Sequence, residues 1–457
     1  MDKTLAYLER SKSSPIDLSL ARDVKSPPWE SFFETIPQVI ERLESLSIEG
    51  TPGNLPFIAS RLLHPAPILE KLSIRGGCQY TSHNPVLTPA LFNGELSSLR
   101  KLYLEYVRTQ LPWRNMVNLT SFTLARTSQI TIEQLLNFFE SSPQLRKVAL
   151  HSATLTSGAQ NGRLVSPECL KCMEIIGGEP SSVLLDHLLI PVGARLTTWL
   201  DLVDFLVEDH LPRSLSNLRN LSNFTTIKLS SDVFPCLEFS GPNGQVAMIF
   251  KTLRVGGTHL VLECLPLFDT STTERLEHRW SKFTSRDPSY RALLPMKDLR
   301  VLELTECENP HFLIHALDPS TDSPEAVVCP KLEDIVIVLS TSGEIFDIKG
   351  AIGTVVARAS RGAKLKSIRV VSKRKFAPAD VLELKKHVLH VECGPEVDGV
   401  SGDSDRGEEV GGASGNSDSG DEVEGASGDS DGAEEGDWVR EKILLAHPLV
   451  SRSVFVS

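Results

Sequence analysis

Two cysteines, Cys169 and Cys172, have the spacing of half a zinc site or of a redox-active pair. A structural zinc site takes four cysteine or histidine ligands, because the metal is held tetrahedrally. The chain has no second pair of this kind, and no pair of histidines follows the cysteines at the distance that a zinc-finger ligand set requires. We therefore predict that these thiols are structural and that the protein has no metal centre.

Two histidines, His311 and His315, share one helix face by their spacing, as do the zinc ligands of a large class of proteases. The sequence HFLIH lacks the glutamate that serves those enzymes as general base. The chain also lacks a phosphate-binding loop and a G-x-G-x-x-G after a strand, and its G-x-S-x-G match (428–432) lies in the acidic tail and follows no predicted strand. We therefore predict no catalytic residues, no cofactor and no enzymatic activity.

One short apolar pattern recurs along most of the chain. Its residues 1, 4 and 6 are apolar, and several of the intervals between successive starts lie near the ~20–29 residues of a leucine-rich repeat. The eleven matches are 43–48, 69–74, 99–104, 119–124, 145–150, 170–175, 185–190, 224–229, 299–304, 332–337 and 365–370. Each repeat supplies one strand and a helical or irregular return. The pattern therefore predicts an α/β protein: an irregular leucine-rich-repeat solenoid (horseshoe) with a parallel β-sheet on its concave face.

The segments between these matches carry helix signals. Thr131 and Gln134 form a capping-box pattern ahead of an apolar stripe in 131–143, and 54–65 and 197–212 resemble it. Degenerate strands are predicted within 246–255 and 259–268. A last helix, 377–390, is predicted to cover the end of the array with Val381, Leu382, Leu384, Val388 and Leu389.

The segment LRVLELTEC (299–307) illustrates the predicted side-chain directions. Positions 1, 4 and 6 face the core, and residues at 3, 5 and 7 face outward. Cys307 stands at position 9, where these repeats favour Asn or Cys to turn the chain out of the strand. We therefore interpret Cys307 as a structural thiol.

The outward positions supply the candidate partner-binding residues. They form a polar, mildly basic and varied surface, which suits recognition of a protein partner. An ordinary solvated sheet face would have the same character, so both interpretations stay open. The candidates are Lys71, Arg75, Lys101, Tyr103, Glu105, Lys147, His151, Glu174 and His187.

The acidity of the chain is concentrated near its C-terminus. Residues 396–437 hold fifteen Asp/Glu and one Arg, a local charge of −14 against −12 for the whole chain, so the rest carries +2. Such a segment buries too little apolar surface to fold. The predicted domains are an N-terminal linker or cap (1–36), the solenoid (37–392), a disordered acidic Gly/Ser/Asp/Glu tail (393–437) and a short amphipathic segment (438–457).

The chain shows neither a secretory signal nor an apolar run near the ~18 residues that cross a bilayer. We therefore expect an intracellular protein, in the cytoplasm, the nucleus or both, without membrane contact. The basic residues 373–375 suit either nuclear import or pairing with the acidic tail, and both remain open.

Several phrases, including YLERSKSSPIDLSLA (7–21), LLHPAPILEKLSI (62–74) and FNGELSSLRKLYLEYV (92–107), resemble fungal (mushroom-type) F-box and leucine-rich-repeat proteins. The resemblance continues to ELKKHVLHVE (383–392) and covers most of residues 5–392. It implies a repeat domain that selects the substrate of a cullin-RING ubiquitin ligase. The first 50 residues lack the F-box motif, so we expect adaptor binding only if an F-box lies upstream.

Two functions follow as hypotheses. The first is a non-enzymatic protein-interaction module resembling the substrate-recognition part of an F-box receptor, with a protein partner of unknown identity. The alternative is an acidic leucine-rich nuclear scaffold or chaperone for basic partners, which the acidic tail favours. Neither hypothesis has the protein bind nucleic acid.

Overall fold

A computed structural model provides the fold. The described residues are 10–20, 37, 39–51, 53–77, 85–87, 91–111, 113–127, 130–156, 162–178, 182–201, 211–231, 234–251, 262, 264–280, 286–318, 327–339, 346–373 and 375–394. The segment 438–457 and all but the first two residues of the predicted acidic tail (393–437) lie outside them; those two residues end strand β20 (His390–Gly394). Among the described residues, no helix is both long enough and apolar enough to cross a membrane.

Strands dominate the described part of the chain. They are β1 (Ile16–Leu20), β2 (Leu43–Gly50), β3 (Lys71–Gly76), β4 (Val86–Leu87), β5 (Lys101–Glu105), β6 (Arg108–Thr109), β7 (Ser121–Ala125), β8 (Ile130–Thr131), β9 (Lys147–Ala153), β10 (Leu155–Thr156), β11 (Cys172–Gly178), β12 (Arg195–Asp201), β13 (Thr226–Ser230), β14 (Cys236–Gly241), β15 (Gly244–Lys251), β16 (Arg275–Arg279), β17 (Val301–Thr305), β18 (Asp334–Val338), β19 (Ser367–Val371) and β20 (His390–Gly394). The helices are α1 (Asn54–Arg61), α2 (Ile132–Ser141), α3 (Ser182–Leu185), α4 (Arg286–Leu293), α5 (His311–Ala316), α6 (Ile348–Ser360) and α7 (Pro378–His387).

Within the described residues, sixteen strands form one long sheet, in the order β1-β2-β3-β5-β7-β9-β11-β12-β15-β14-β13-β16-β17-β18-β19-β20. Neighbours are parallel except at β14, which pairs antiparallel with both β13 and β15. The protein is therefore a mixed α/β protein built on a long, mostly parallel sheet. The predicted all-parallel order was wrong at β14.

Core positions align across the sheet. Leu72, Leu102, Phe122 and Val148 stand side by side in register on four neighbouring strands, and all are buried. The predicted directions in 299–307 are confirmed, since Leu299, Leu302, Leu304 and Cys307 are at most 1% exposed, while Val301, Glu303 and Thr305 are partly exposed. Residues of alternating direction thus place one apolar face of the sheet in the core.

Several strands share one backbone conformation at a residue at or near their carboxyl end. The residue at position 8 has a left-handed φ near 50–60° in six of them: Tyr106, Arg126, Ser152, Gly177, Trp280 and Glu306. The N–H of Tyr106 donates to the carbonyl of Ala125 on the next strand, at 3.0 Å, and the N–H of Glu306 donates equivalently to Val338, at 2.6 Å. This bond offsets the steric cost of the left-handed region for residues other than glycine.

Four sequence predictions along the chain need correction. Residues 185–190 do not form a strand of the sheet, and the segment 197–212 begins as strand β12 where we predicted a helix. Residues 265–267 form a short 3-10 helix where a degenerate strand was expected. The helix at the end of the array, α7, is followed by one more strand, β20, and within it Leu382 is 63% exposed.

Strand β16 went unpredicted for a visible physical reason. Its segment 273–280 follows the repeat pattern, but Thr273 stands at position 1 and His278 at position 6, where the template requires apolar residues. Both side chains are nevertheless fully buried. A search that tolerated polar residues at one or two core positions would have found the strand.

The helical return α2 confirms its predicted start. Thr131 Oγ1 accepts a hydrogen bond from the N–H of Gln134 at 3.1 Å, and the Gln134 side chain accepts one from the N–H of Thr131 at 3.0 Å. Leu135, Leu136 and Phe138 are buried as predicted, and Phe138 packs on Phe122 with ring centroids 4.4 Å apart. The cap therefore sets where an apolar helix face meets the sheet.

Removing this cap is expected to destabilise the protein measurably. Thr131→Ala should lower the free energy of unfolding by about 1 kcal/mol, because the N–H of Gln134 loses its acceptor. Thr131→Ser, which keeps the hydroxyl oxygen, is the matched control and should retain most of the stability. Urea unfolding followed by circular dichroism measures both, and equal losses in the two variants would contradict the capping role.

Candidate functional site

The exposed face of the sheet holds eight of the nine predicted partner-binding residues. Lys71 and Arg75 lie on β3, three others on β5, two on β9 and Glu174 on β11, and all are exposed or partly exposed. They stand in register, because Lys71 pairs with Lys101, and Glu174 stands beside Ala149 between the two predicted residues of β9. The full set of eight is Lys71, Arg75, Lys101, Tyr103, Glu105, Lys147, His151 and Glu174.

The ninth residue, His187, is not on this face. It lies in the turn after α3, and its Nδ1 donates a hydrogen bond to the carbonyl of Arg163 at 2.9 Å. The adjacent residue Leu188 forms an isolated bridge with Val165 away from the main sheet. The prediction failed because the apolar spacing of 185–190 matches a buried turn as well as it matches a strand.

A carboxylate, two arginines and two tyrosines form a cluster at the carboxyl end of β3, β5 and β7. Glu105 accepts a hydrogen bond from the Tyr103 hydroxyl at 2.8 Å and lies 3.6 Å from Arg75 and 3.5 Å from Arg126. The two guanidinium groups stack on rings, Arg75 over Tyr103 at 4.9 Å and Arg126 over Tyr106 at 5.1 Å. The cluster holds rigid aromatic side chains in place on an exposed surface.

The environment of Tyr103 keeps it protonated. Burial, followed by the hydrogen bond and the charge of Glu105, raises the pKa of Tyr103 to about 12. The hydroxyl therefore remains a donor at neutral pH and is unsuited to act as a general base. This cluster exposes hydrogen-bonding and stacking groups on the surface of the sheet. It does not present an activated nucleophile.

The next strands continue the polar surface. His151 Nε2 lies 3.3 Å from Glu174 Oε2, across the pairing of β9 with β11. Beyond it the row becomes apolar, with Ile176 and Trp199, which are partly exposed, and the buried Ile249 in register on β11, β12 and β15. Trp199 contacts Phe234 with ring centroids 5.9 Å apart. The surface thus combines charged and apolar parts, as recognition surfaces do.

Trp199 was missed because the segment 197–212 was interpreted as a helix. The signal that could have found the strand is the β-branched and aromatic content of RLTTWLD (195–201), with Thr197, Thr198 and Trp199 in succession. Such residues favour a strand over a helix.

A basic edge lies along the amino ends of the same strands. We use this name for six residues, Lys71, Lys101, Arg146, Lys147, Lys171 and Arg195. Four of them occupy position 3 in register, and Arg146 and Lys171 stand at position 2 just before β9 and β11. Among the described residues, none of the six forms an ion pair. The edge is therefore a row of cations, of which five are exposed and Arg195 is partly exposed.

A second charged cluster lies farther along the sheet. Glu277 on β16 is 6% exposed and is approached by Arg275 at 2.7 Å, Lys228 at 3.6 Å and Arg279 at 3.8 Å. Arg275 also binds Glu303 on the next strand. These charges compensate one another, so this cluster ties strands together and leaves little net charge for a ligand.

The cysteines and histidines with metal-ligand spacing do not converge. Cys169 is exposed ahead of β11, and Cys172 lies within that strand. His311 and His315 lie on α5 with ring centroids 6.1 Å apart, and His315 is 3.6 Å from Asp347. In the described part of the chain, no three potential metal ligands are grouped. A pocket beside β2 and α1 is lined by apolar side chains alone.

No protein-family model matches the chain, and no curated protein matches it. The class defined by the fold and the surface is thus a mixed α/β protein with a long, mostly parallel sheet and a charged, aromatic exposed face.

Proposed function

We propose that this protein recognises another protein through the exposed face of its sheet and that it does so without catalysing a reaction. The observation that carries the proposal is the register of the eight predicted residues with the Glu105 cluster and the basic edge on one continuous face. Aromatic and arginine side chains dominate the energetics of protein interfaces, and both occur here in ordered positions.

We also propose that the scaffold is a leucine-rich-repeat solenoid. In support, the residues at positions 1, 4 and 6 are buried in repeat after repeat, and position 8 returns to the same left-handed conformation. A carbonyl at position 2 also recurs as an acceptor: Arg100 O accepts from the N–H groups of Thr120 and Ser121, and Arg300 O accepts from Glu333 and Asp334. Neighbour-to-neighbour bonding of this kind is what stacks repeats.

Within this proposal, the cellular role follows from the resemblance to fungal F-box and leucine-rich-repeat proteins. The repeat domain would select a protein for ubiquitination, and the adaptor of a cullin-RING ligase would be a partner if an F-box lies upstream. An intracellular location, in the cytoplasm or nucleus, belongs to the same proposal. The alternative, an acidic nuclear scaffold for basic partners, is favoured by the fifteen acidic residues of 396–437.

The test replaces two side chains in the middle of the face. Affinity purification of the full chain from cells is compared with a Tyr103→Ala/His151→Ala variant, and partners are quantified by mass spectrometry. Hot-spot truncations of this kind cost about 2 kcal/mol or more, so at least one specific partner should fall roughly thirty-fold. The control, Lys349→Ala on the exposed side of α6, should keep the same partner.

Two outcomes separate the hypotheses. Retention of every specific partner by the Tyr103→Ala/His151→Ala variant would contradict recognition by this face. A partner set composed of basic proteins, lost only when residues 396–437 are deleted, would favour the acidic scaffold.

A further inference from the structure

We infer that the basic edge is the binding site for an extended acidic segment of the partner protein, with carboxylate or phosphate groups as the recognised chemistry. This inference rests on the proposed function and specifies the chemical class of the ligand. A row of cationic side chains along one edge of an exposed face favours a ligand of negative charge that lies along the row, across the strands.

The spacing of the edge fits an extended chain. Lys71, Lys101, Lys147 and Arg195 occupy one register row, together with Ser121 and Cys172 on the intervening strands. Neighbouring strands lie about 4.8 Å apart, so the row spans roughly 24 Å and presents a cation every ~5–10 Å. In an extended peptide, side chains on one side recur every ~6.7 Å. A segment of about seven residues lying across the strands covers the row.

The edge differs from the other basic residues nearby. Arg75 lies 3.6 Å from Glu105, and Arg100, which directly precedes Lys101, lies 3.2 Å from Glu70. Farther along the same side of the sheet, Lys366 lies 2.7 Å from Glu333. The members of the basic edge have no such carboxylate among the described residues. Their charges are therefore available to an external anion.

The neighbouring side chains favour a protein ligand. Four of the six cations are lysines, compact charges that accept carboxylate and phosphate alike. Single-stranded nucleic acid needs exposed aromatic faces between the cations. Tyr103, two residues along β5 from Lys101, is already stacked under Arg75 and hydrogen-bonded to Glu105. The rest of the chain outside 396–437 carries only +2, which is modest for a nucleic-acid-binding body.

Fluorescence anisotropy with the full chain tests this inference. The probes are a labelled eight-residue peptide that alternates Glu and Ser, its phosphoserine form, its Gln counterpart and a single-stranded oligonucleotide of eight thymidines. We expect binding of at least one of the two acidic peptides that weakens as salt increases, and at least ten-fold weaker binding of the Gln peptide. The relative affinities of the Glu and phosphoserine peptides distinguish carboxylate from phosphate.

The variant Lys101→Glu/Lys147→Glu reverses two charges of the edge and should weaken binding of the acidic peptides at least ten-fold. A matched control, Lys349→Glu/Lys364→Glu, makes the same charge change at exposed lysines elsewhere and should stay within two-fold. Both variants should melt as the wild type does, because all four lysines are exposed. If the Glu variant fails to fold, Lys101→Gln/Lys147→Gln takes its place, with a smaller expected loss.

Three results would overturn the inference: no binding of either acidic peptide, equal weakening in both double variants, or tighter binding of the oligonucleotide than of the acidic peptides. These failures are distinguishable from failure of the proposed function. Suppose that Tyr103→Ala/His151→Ala loses the partner but the edge variant binds the acidic peptides normally. The proposed function would then stand, and only the inference that the ligand is acidic would fail.

Discussion

Replacing Arg358 by methionine is expected to lower the free energy of unfolding by about 3–5 kcal/mol. Arg358 lies on α6 and is fully buried. Its guanidinium donates to the carbonyls of Val328 at 2.5 Å and Cys329 at 2.8 Å, and a longer contact reaches Leu317 at 3.5 Å. Burial lowers the pKa of Arg358, but a guanidinium stays protonated at any ordinary pH.

The size of this effect follows from what the substitution leaves behind. Methionine fills much of the volume but offers no hydrogen-bond donor. Each buried carbonyl of the preceding loop that loses its donor lowers the stability by about 1–3 kcal/mol. That loop leads into Leu332, the first core residue of the β18 repeat, so the loss extends to the packing of two neighbouring repeats. Arg358→Lys should recover part of the stability, since one ammonium group reaches fewer acceptors.

Chemical unfolding monitored by circular dichroism and tryptophan fluorescence measures the change. The control is Lys364→Met, an exposed lysine after the same helix, for which we expect a change within about 0.5 kcal/mol. A wild-type unfolding midpoint in Arg358→Met would show that the three carbonyls do not depend on the guanidinium.

The second large effect that we expect is a loss of folding stability at acid pH, caused by the buried side chain of His278. This side chain stands at a core position of β16 and is fully buried, and burial lowers its pKa to about 3. In the unfolded chain a histidine titrates near 6.5. Between pH 6.5 and 3 the unfolded chain therefore binds a proton that the folded chain does not, and stability falls by about 1.4 kcal/mol for each unit of decreasing pH.

The variant His278→Leu should remove this contribution, since leucine occupies the equivalent position in β17 as Leu304. Urea unfolding at pH 7, 6, 5 and 4 should show the wild type losing stability more steeply than the variant, by a difference approaching 1.4 kcal/mol per unit below pH 6. The exposed His64 provides the control, and His64→Gln should follow the wild-type curve. Parallel curves for wild type and His278→Leu would rule out a buried neutral histidine.

Several strands and helix starts could be predicted because their signals are local. The apolar positions of 299–304 match a strand whose side chains alternate between core and surface, and the Thr131–Gln134 pair marks a helix start by its own hydrogen bonds. The errors have physical causes as well. His187 lies in a buried turn whose apolar spacing imitates a strand, and β14 runs antiparallel although its alternation is the same as that of a parallel strand.

The candidate site was predicted residue by residue, but its organisation was not. Lys71, Tyr103 and His151 are outward positions of recognisable repeats. Position 8 of the repeats, which supplies Arg126 and Tyr106 to the Glu105 cluster, carried no predicted role. Trp199 was not predicted to be on the surface of the sheet, because its segment was predicted to be a helix. Strand β16, which carries Glu277, was not predicted because two of its core positions are polar.

By itself the sequence determined which residues alternate between the core and the surface, where several helices begin, and how strongly charge is concentrated in residues 396–437. Only the tertiary structure decided that Arg75, Glu105 and Arg126, far apart along the chain, meet on one face, while the cations of the basic edge stay unpaired among the described residues. The reason is strand register. Adjacent parallel strands bring residues about 4.8 Å apart, and a shift of two residues would give each charge a different neighbour.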